Sequence, residues 1–181
     1  MHAAPLPTPT LFTSEAGPKL ARMSETRPDP SPDSPMALAL EEAEAAARRG
    51  EVPVGAVLVD GRGEILARAG NRTRERNDPT AHAELLVIRA ASAQRASERL
   101  PGCDLYVTLE PCPMCAAAIS FARIRRLYWG APDPKSGGVE HGPRIFSHAT
   151  CHHVPELYPS IADAPARALL QRFFADRRPS K

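Results

Sequence analysis

No apolar run in this sequence approaches the ~18 residues that a membrane-spanning helix needs. No basic beginning is followed by a continuous apolar stretch, which argues against a secretory signal. Residues 1–22 are poor in acids but offer only Lys19 and Arg22 as bases, so a transit peptide is weakly supported. Net charge is also small, +2 over 181 residues, so bulk electrostatics names no partner and only local clusters can. Cysteine is sparse, with four residues, too few for a disulfide scaffold at this length. Two of the four form a Cys-x-x-Cys pair, which argues for metal or redox use in a reducing compartment. The expectation is a soluble, cytoplasmic protein without membrane contact, long enough for one domain with a real core.

What is present divides the chain at about residue 33. Residues 1 to 33 are crowded with Pro, Ser and Thr and show no hydrophobic period, a composition that cannot offset chain entropy. They are expected to be a disordered extension, with Met23 and Met36 as alternative starts, and residues 34–181 to be the folded domain. Ser34-Pro35 reads as a cap and first-turn proline opening a helix, with Met36, Leu40, Ala43 and Ala47 inward and Gly50 closing it. Val52 to Asp60 is rich in β-branched residues and predicts a central strand. It turns at Gly61-Arg62-Gly63 into an antiparallel partner, Glu64 to Ala69. A polar loop, Asn71 to Asn77, leads to a helix from near Thr80 to Glu98 that carries Leu85, Leu86, Ile88 and Ala90 inward. A strand over Asp104–Leu109 and a helix entered at Pro113 follow. A strand over Arg126–Gly130 comes next, then a loop to Ser147 with a short strand near Val139 or Ile145. A last helix, Ala164–Arg177, is expected to bury Ala168, Leu169 and Phe173. This order predicts an α/β fold, a three-layer α/β/α sandwich around a central mixed sheet.

The chemistry concentrates in two pieces, Asp78-Pro79-Thr80-Ala81-His82-Ala83-Glu84 and Thr108-Leu109-Glu110-Pro111-Cys112-Pro113-Met114-Cys115. Each reads as a loop feeding the first turn of a helix. Cys112 and Cys115 are three apart and share a helix face, as two ligands of one ion must. Their place at a helix start, where unpaired N–H groups and the dipole favour anions, suits thiolates. His82 and Glu84 are two apart, and reach one site only if both lie at the end of their helix. Thiolate and imidazole are zinc ligands, and three protein ligands with an open fourth position describe a catalytic site. A closed structural site needs a fourth protein ligand, for which Cys103, His141, His148, Cys151, His152 and His153 are candidates. A redox role for the Cys-x-x-Cys pair lacks any thioredoxin-like unit around it. The spare carboxylate of Glu84 favours catalysis over structure.

The pattern His-x-Glu…Pro-Cys-x-x-Cys resembles the signature of the zinc nucleoside and nucleobase deaminases. Within that superfamily the chain resembles the bacterial tRNA adenosine deaminases, through Glu51–Leu58 (EVPVGAVL), Gly70-Asn71-Arg72, Asp78–Glu84 (DPTAHAE), Val107–Cys115 (VTLEPCPMC) and Gly130–Gly137 (GAPDPKSG). The likeness covers about Ala37 to Arg178. It implies a cytidine deaminase-like fold and one Zn2+ per subunit on His82, Cys112 and Cys115. It also implies zinc-bound hydroxide attacking adenine C6, with Glu84 as the catalytic proton shuttle. The product is inosine at the anticodon wobble position. By the same resemblance Asn71 meets the base, and Pro53, Val54 and Ala83 form pocket walls. Asp133 and Lys135 lie near the RNA, and a C-terminal helix with Phe173, Phe174, Arg177, Arg178 and Lys181 grips the anticodon stem-loop of the tRNA. A homodimer is implied as well. Residues 139–162, including Cys151-His152-His153, match no family pattern, and Arg123, Arg125 and Arg126 read as a basic surface turn. Two rivals stand beside this reading: a deaminase of free guanine, cytosine or cytidine, and a noncatalytic zinc-stabilised RNA-binding module. An intact Glu84 counts against the latter.

Overall fold

In the computed structural model, which describes residue 31 and residues 33–177, the chain runs through four helices and five strands. In order these are α1 (Pro35–Arg48), β1 (Gly55–Val59), β2 (Ile65–Gly70), α2 (Ala83–Arg95), β3 (Asp104–Leu109), α3 (Pro113–Phe121), β4 (Arg126–Ala131), β5 (Glu156–Tyr158) and α4 (Asp163–Ala175). The expected disordered extension, apart from residues 31 and 33, lies outside the described residues, as do Arg178 and Lys181. The sheet order is β2-β1-β3-β4-β5. β1 runs antiparallel to β2 and β3, whereas β3, β4 and β5 are parallel, so the sheet is mixed as expected.

Alternation along the strands separates the two faces. Ala56, Leu58, Leu105, Val107, Leu127 and Trp129 join Val87, Ala91, Ala116 and Ile119 of α2 and α3 in the larger core. Val57 and Val59 pack instead with Met36 and Ala39 of α1. On that second face Tyr106, Tyr128 and Tyr158 stack across three neighbouring strands, with ring centroids 4.4 and 4.5 Å apart. α1 and α4 cover this face and α2 and α3 the other, which completes the three layers.

Several local expectations need correction. α1 turns Met36, Ala39, Ala43 and Ala46 inward, with Leu40 and Ala47 only half-buried. The reason is close approach: a Cβ on Gly55 would lie 2.0 Å from the Ala39 carbonyl oxygen, and one on Gly70 2.4 Å from that of Glu42. Only small residues fit where a helix rides directly on glycines. β1 is shorter than Val52–Asp60, because the Val54 N–H closes back onto the Val52 carbonyl and the Val54 carbonyl accepts from the Asn71 N–H. α2 starts at Ala83 rather than near Thr80, since Asp78 Oδ1 accepts from both the N–H and the hydroxyl of Thr80 and holds a turn there. α2 also exposes Ala90 and buries Ala91, and α4 exposes Ala168 and buries Ala166 in its place. No strand forms near Val139 or Ile145; a single 3-10 turn covers Ile145–Ser147. The strand found in this part of the chain is β5, three residues paired only with β4, too short to leave a period in the sequence.

Candidate metal centre

Two helix N-termini meet beyond the end of β3. His82 is the N-cap residue of α2 and Cys112 that of α3, and neither side chain caps its own helix. Both point instead to a shared point, together with Cys115 one turn into α3. His82 Nδ1 lies 3.7 Å from Cys112 Sγ and 3.5 Å from Cys115 Sγ, and the three donor atoms all fall within 4.8 Å of one another. The two-residue spacing of His82 and Glu84 is reconciled as expected, at the very end of a helix.

The alternative fourth ligands lie outside this cluster. His141 bonds Glu110, His148 bonds the Pro143 carbonyl, and His153 bonds the Ile124 carbonyl. Cys151 sits against Ser120, and Cys103 is buried near Arg95 and Asp60. His152 gives its carbonyl to Arg123. Among the described residues the cluster therefore has three donors and no fourth.

Electrostatics matches a cation site. Hydrogen bonding from Cys115, followed by His82, outweighs burial and lowers the Cys112 thiol to about 4. Its bond to Cys112, followed by burial, pushes the Cys115 thiol up. Hydrogen bonding to Cys112 raises His82, against the opposing effect of burial. A divalent cation would compensate both sulfurs. Glu84, at the second position of α2, is 3% exposed, and its Oε2 is the one fully enclosed side-chain oxygen or nitrogen among the described residues without a hydrogen-bond partner. Burial raises its pKa above the usual carboxylate range. An unsatisfied buried polar atom costs about 1–3 kcal/mol and calls for a ligand. Two sulfurs, one imidazole nitrogen and an adjacent acid with one unpartnered oxygen fit zinc with an open coordination position.

The walls are built by buried hydrogen bonds. Asn71, 6% exposed, accepts at Oδ1 from the Ala83 N–H, donates its own N–H to the Val54 carbonyl and so ties the Pro53–Val54 segment to the start of α2. Pro53, Val54 and Ala83 are all buried around it. Glu51 is buried too and accepts from the Thr73 hydroxyl and the N–H groups of Arg74 and Glu75. Burial opposes its ionisation, but these bonds win and hold it below the usual range.

Beyond β4, Asp133 Oδ1 accepts from the N–H groups of Lys135 and Ser136, which makes it a turn-former and leaves Lys135 exposed. A groove joins this loop to α4, lined by Asp133, Lys135, Arg167, Gln171, Phe174 and Arg177. Phe173 is not on it. That ring is 5% exposed and carries the Arg177 guanidinium 3.7 Å above its centre, whereas Phe174 is 49% exposed. The basic turn is largely spent on structure: Arg125 makes two bonds to Asp104, and Arg126 one to Glu156. Sequence reasoning gave Glu51 and Glu110 no individual role. The signal for both was a carboxylate directly against an apolar stretch, which must find donors once buried.

The sequence profile of the cytidine and deoxycytidylate deaminase zinc-binding region matches residues 31–131. A tRNA-specific adenosine deaminase of Agrobacterium fabrum is 62% identical over 144 residues, 79% of this chain and 93% of the relative. One from Bacillus subtilis is 41% identical over 143 residues, 79% and 88% of the two chains. A solved structure from work on A-to-I editing by tRNA:A34 deaminases superposes with a TM-score of 0.74 at 62% identity, covering 75% of this chain and 98% of that one. Guanine deaminase from Nitrosomonas europaea shares the fold at 23% identity, with a TM-score of 0.68, over 84% and 89% of the chains. With the paired helix N-termini, the histidine, the two cysteines and the spare acid in place, this chain belongs to the bacterial tRNA-specific adenosine deaminases of the zinc-dependent cytidine and deoxycytidylate deaminase superfamily.

Proposed function

We propose that the protein hydrolyses adenosine to inosine at the wobble position of a tRNA anticodon, in the cytoplasm, with His82, Cys112 and Cys115 holding one zinc ion. The observation that carries this reading is the unpartnered Glu84 Oε2 beside two cysteine sulfurs and an imidazole nitrogen. Zinc, when bound there, supplies Lewis acidity that brings the pKa of a water towards neutrality. Glu84 then does the proton work. Its carboxylate takes a proton from the attacking water and delivers it to the purine ring nitrogen, which makes C6 electrophilic. It carries a second proton to the departing amine, so adenosine and water become inosine and ammonia. A general acid–base group contributes roughly 10²–10⁴-fold to such a reaction.

Positioning falls to the walls. Asn71 Oδ1 is occupied by Ala83, so contact with the base falls to Nδ2. Pro53, Val54 and Ala83 exclude water around the flipped base, which must leave its stack to reach so enclosed a site. The exposed Lys135 and Arg177, with Phe174, supply charge and a stacking face along the groove for a single-stranded anticodon loop. A homodimer through α3 is part of the proposal, supported by Phe121, which ends that helix 71% exposed.

The test offers the zinc-loaded protein an anticodon stem-loop with A at the wobble position, alongside free guanine, cytosine, cytidine and adenosine. Inosine in the RNA alone is expected. Ammonia from a free base or nucleoside, with unchanged RNA, would contradict the reading.

A further inference from the structure

Glu110 directly follows β3 and precedes Cys112 by two residues, yet its side chain bonds the 133–141 loop and is not part of the three-donor cluster. The side chain is fully buried. Its Oε1 accepts from three consecutive backbone N–H groups, Val139 at 3.2 Å, Glu140 at 2.8 Å and His141 at 3.0 Å. Its Oε2 accepts from the Asp133 N–H at 3.0 Å and meets His141 Nδ1 at 2.6 Å. One carboxylate therefore grips both ends of the 133–141 loop, and an oxyanion accepting so many charge-assisted bonds is held firmly. The loop is drawn in further where the Gly138 N–H donates to the Pro111 carbonyl at 2.8 Å. The glycines there are required by proximity. A Cβ on Gly137 would lie 2.5 Å from Glu110 Oε1, and one on Gly138 2.6 Å from the Pro113 nitrogen.

We propose that Glu110 is a positioning residue for substrate. It fixes the loop bearing Lys135 to the same β3–α3 junction that carries Cys112 and Cys115, so that the RNA-facing groove and the reacting centre keep one register. His141 shares the task, because its ring is held by the carboxylate through Nδ1. The inference rests on the RNA reading above for the identity of the substrate, while the clamp itself rests on the hydrogen bonds. The clamp acts on how the groove meets the stem-loop without touching the base, so its loss is read in KM rather than in the chemical step.

The experiment compares the zinc-loaded wild type with Glu110→Gln and His141→Ala, by backbone hydrogen exchange, zinc content and steady-state kinetics on the anticodon stem-loop. The amide keeps the shape but turns one acceptor into a donor facing the Asp133 N–H. Exchange at Asp133 and Val139–His141 is expected to rise by about tenfold or more while β1 and β3 stay protected. KM for the stem-loop should rise by about tenfold with kcat changed less than about threefold, at one zinc per chain. His141→Ala removes only the ring contact and should give the same pattern with a smaller rise, which serves if Glu110→Gln does not fold. Unchanged loop exchange in both variants would overturn the clamp. So would a fall in kcat and zinc content together with KM unmoved. If the wild type fails on RNA altogether, the functional reading fails, and loop exchange still decides the clamp.

Discussion

Glu84 and Glu110 are equally inaccessible, 3% and 2% exposed, and both stand beside a proposed zinc ligand, yet the fold treats them in opposite ways. Every oxygen of Glu110 is met by N–H donors, and they outweigh burial to keep its carboxyl ionised below the usual range. Glu84 keeps one oxygen bare, and burial raises its pKa. Glu51 sides with Glu110. This chain can thus satisfy a buried carboxylate and does so twice around the site walls. Leaving one oxygen of the third unsatisfied sacrifices stability at the acid proposed to exchange protons. Saturated acids hold loops, and the unsaturated one is the acid proposed for the chemistry.

Substitutions can break or sharpen that contrast. The largest effect is expected from Glu84→Gln: kcat on the stem-loop should fall by about 10²–10⁴-fold, the range for a lost general acid–base. Zinc content and urea stability should hold or improve. A stability loss as large as the Glu51 variant's would erase the distinction. Next comes Glu51→Gln, whose amide oxygen can still accept from the Arg74 and Glu75 N–H groups but without the charge, while its NH2 replaces the oxygen that accepts from Thr73; urea denaturation should report about 1–3 kcal/mol of lost stability. Its pH dependence has a definite sign. The folded pKa lies below the reference value of 4.5, so the stabilisation is complete above that pH and is lost as pH falls through the folded pKa. The gap between wild type and Glu51→Gln should therefore be widest near neutrality and close in acid. A gap that widens in acid would reverse the assignment. The smallest effect belongs to Lys135→Ala, which should raise KM a few-fold and reduce the salt slope of RNA binding by about one, with urea stability unmoved.

Much of this was legible in the sequence because it is local. The strand β1, the Gly61-Arg62-Gly63 turn and the Ser34 cap depend on neighbouring residues, and Ser34 Oγ does accept from the Ala37 N–H. The candidate ligand set was legible through spacing at two helix starts. What stayed hidden depends on contacts between distant residues. The inward stripe of α1 is decided by Gly55 and Gly70 in other elements, β5 by its pairing to β4, and the partners of Glu110 by a loop more than twenty residues away. Phe173 and Phe174 are adjacent aromatics that composition cannot tell apart, and only the packing of α4 sends one inward and one to the groove.

The central claim, that an unsatisfied acid beside a three-donor zinc site deaminates an RNA adenine with water, is tested most directly by single turnover in water enriched in heavy oxygen. Zinc-loaded wild type and Glu84→Gln would each be mixed in excess with a wobble-A stem-loop, and the RNA digested and weighed. The account predicts inosine carrying one heavy oxygen at the wobble position from the wild type, and intact adenosine from Glu84→Gln on the same timescale. Heavy inosine formed at equal rates by both proteins would contradict it.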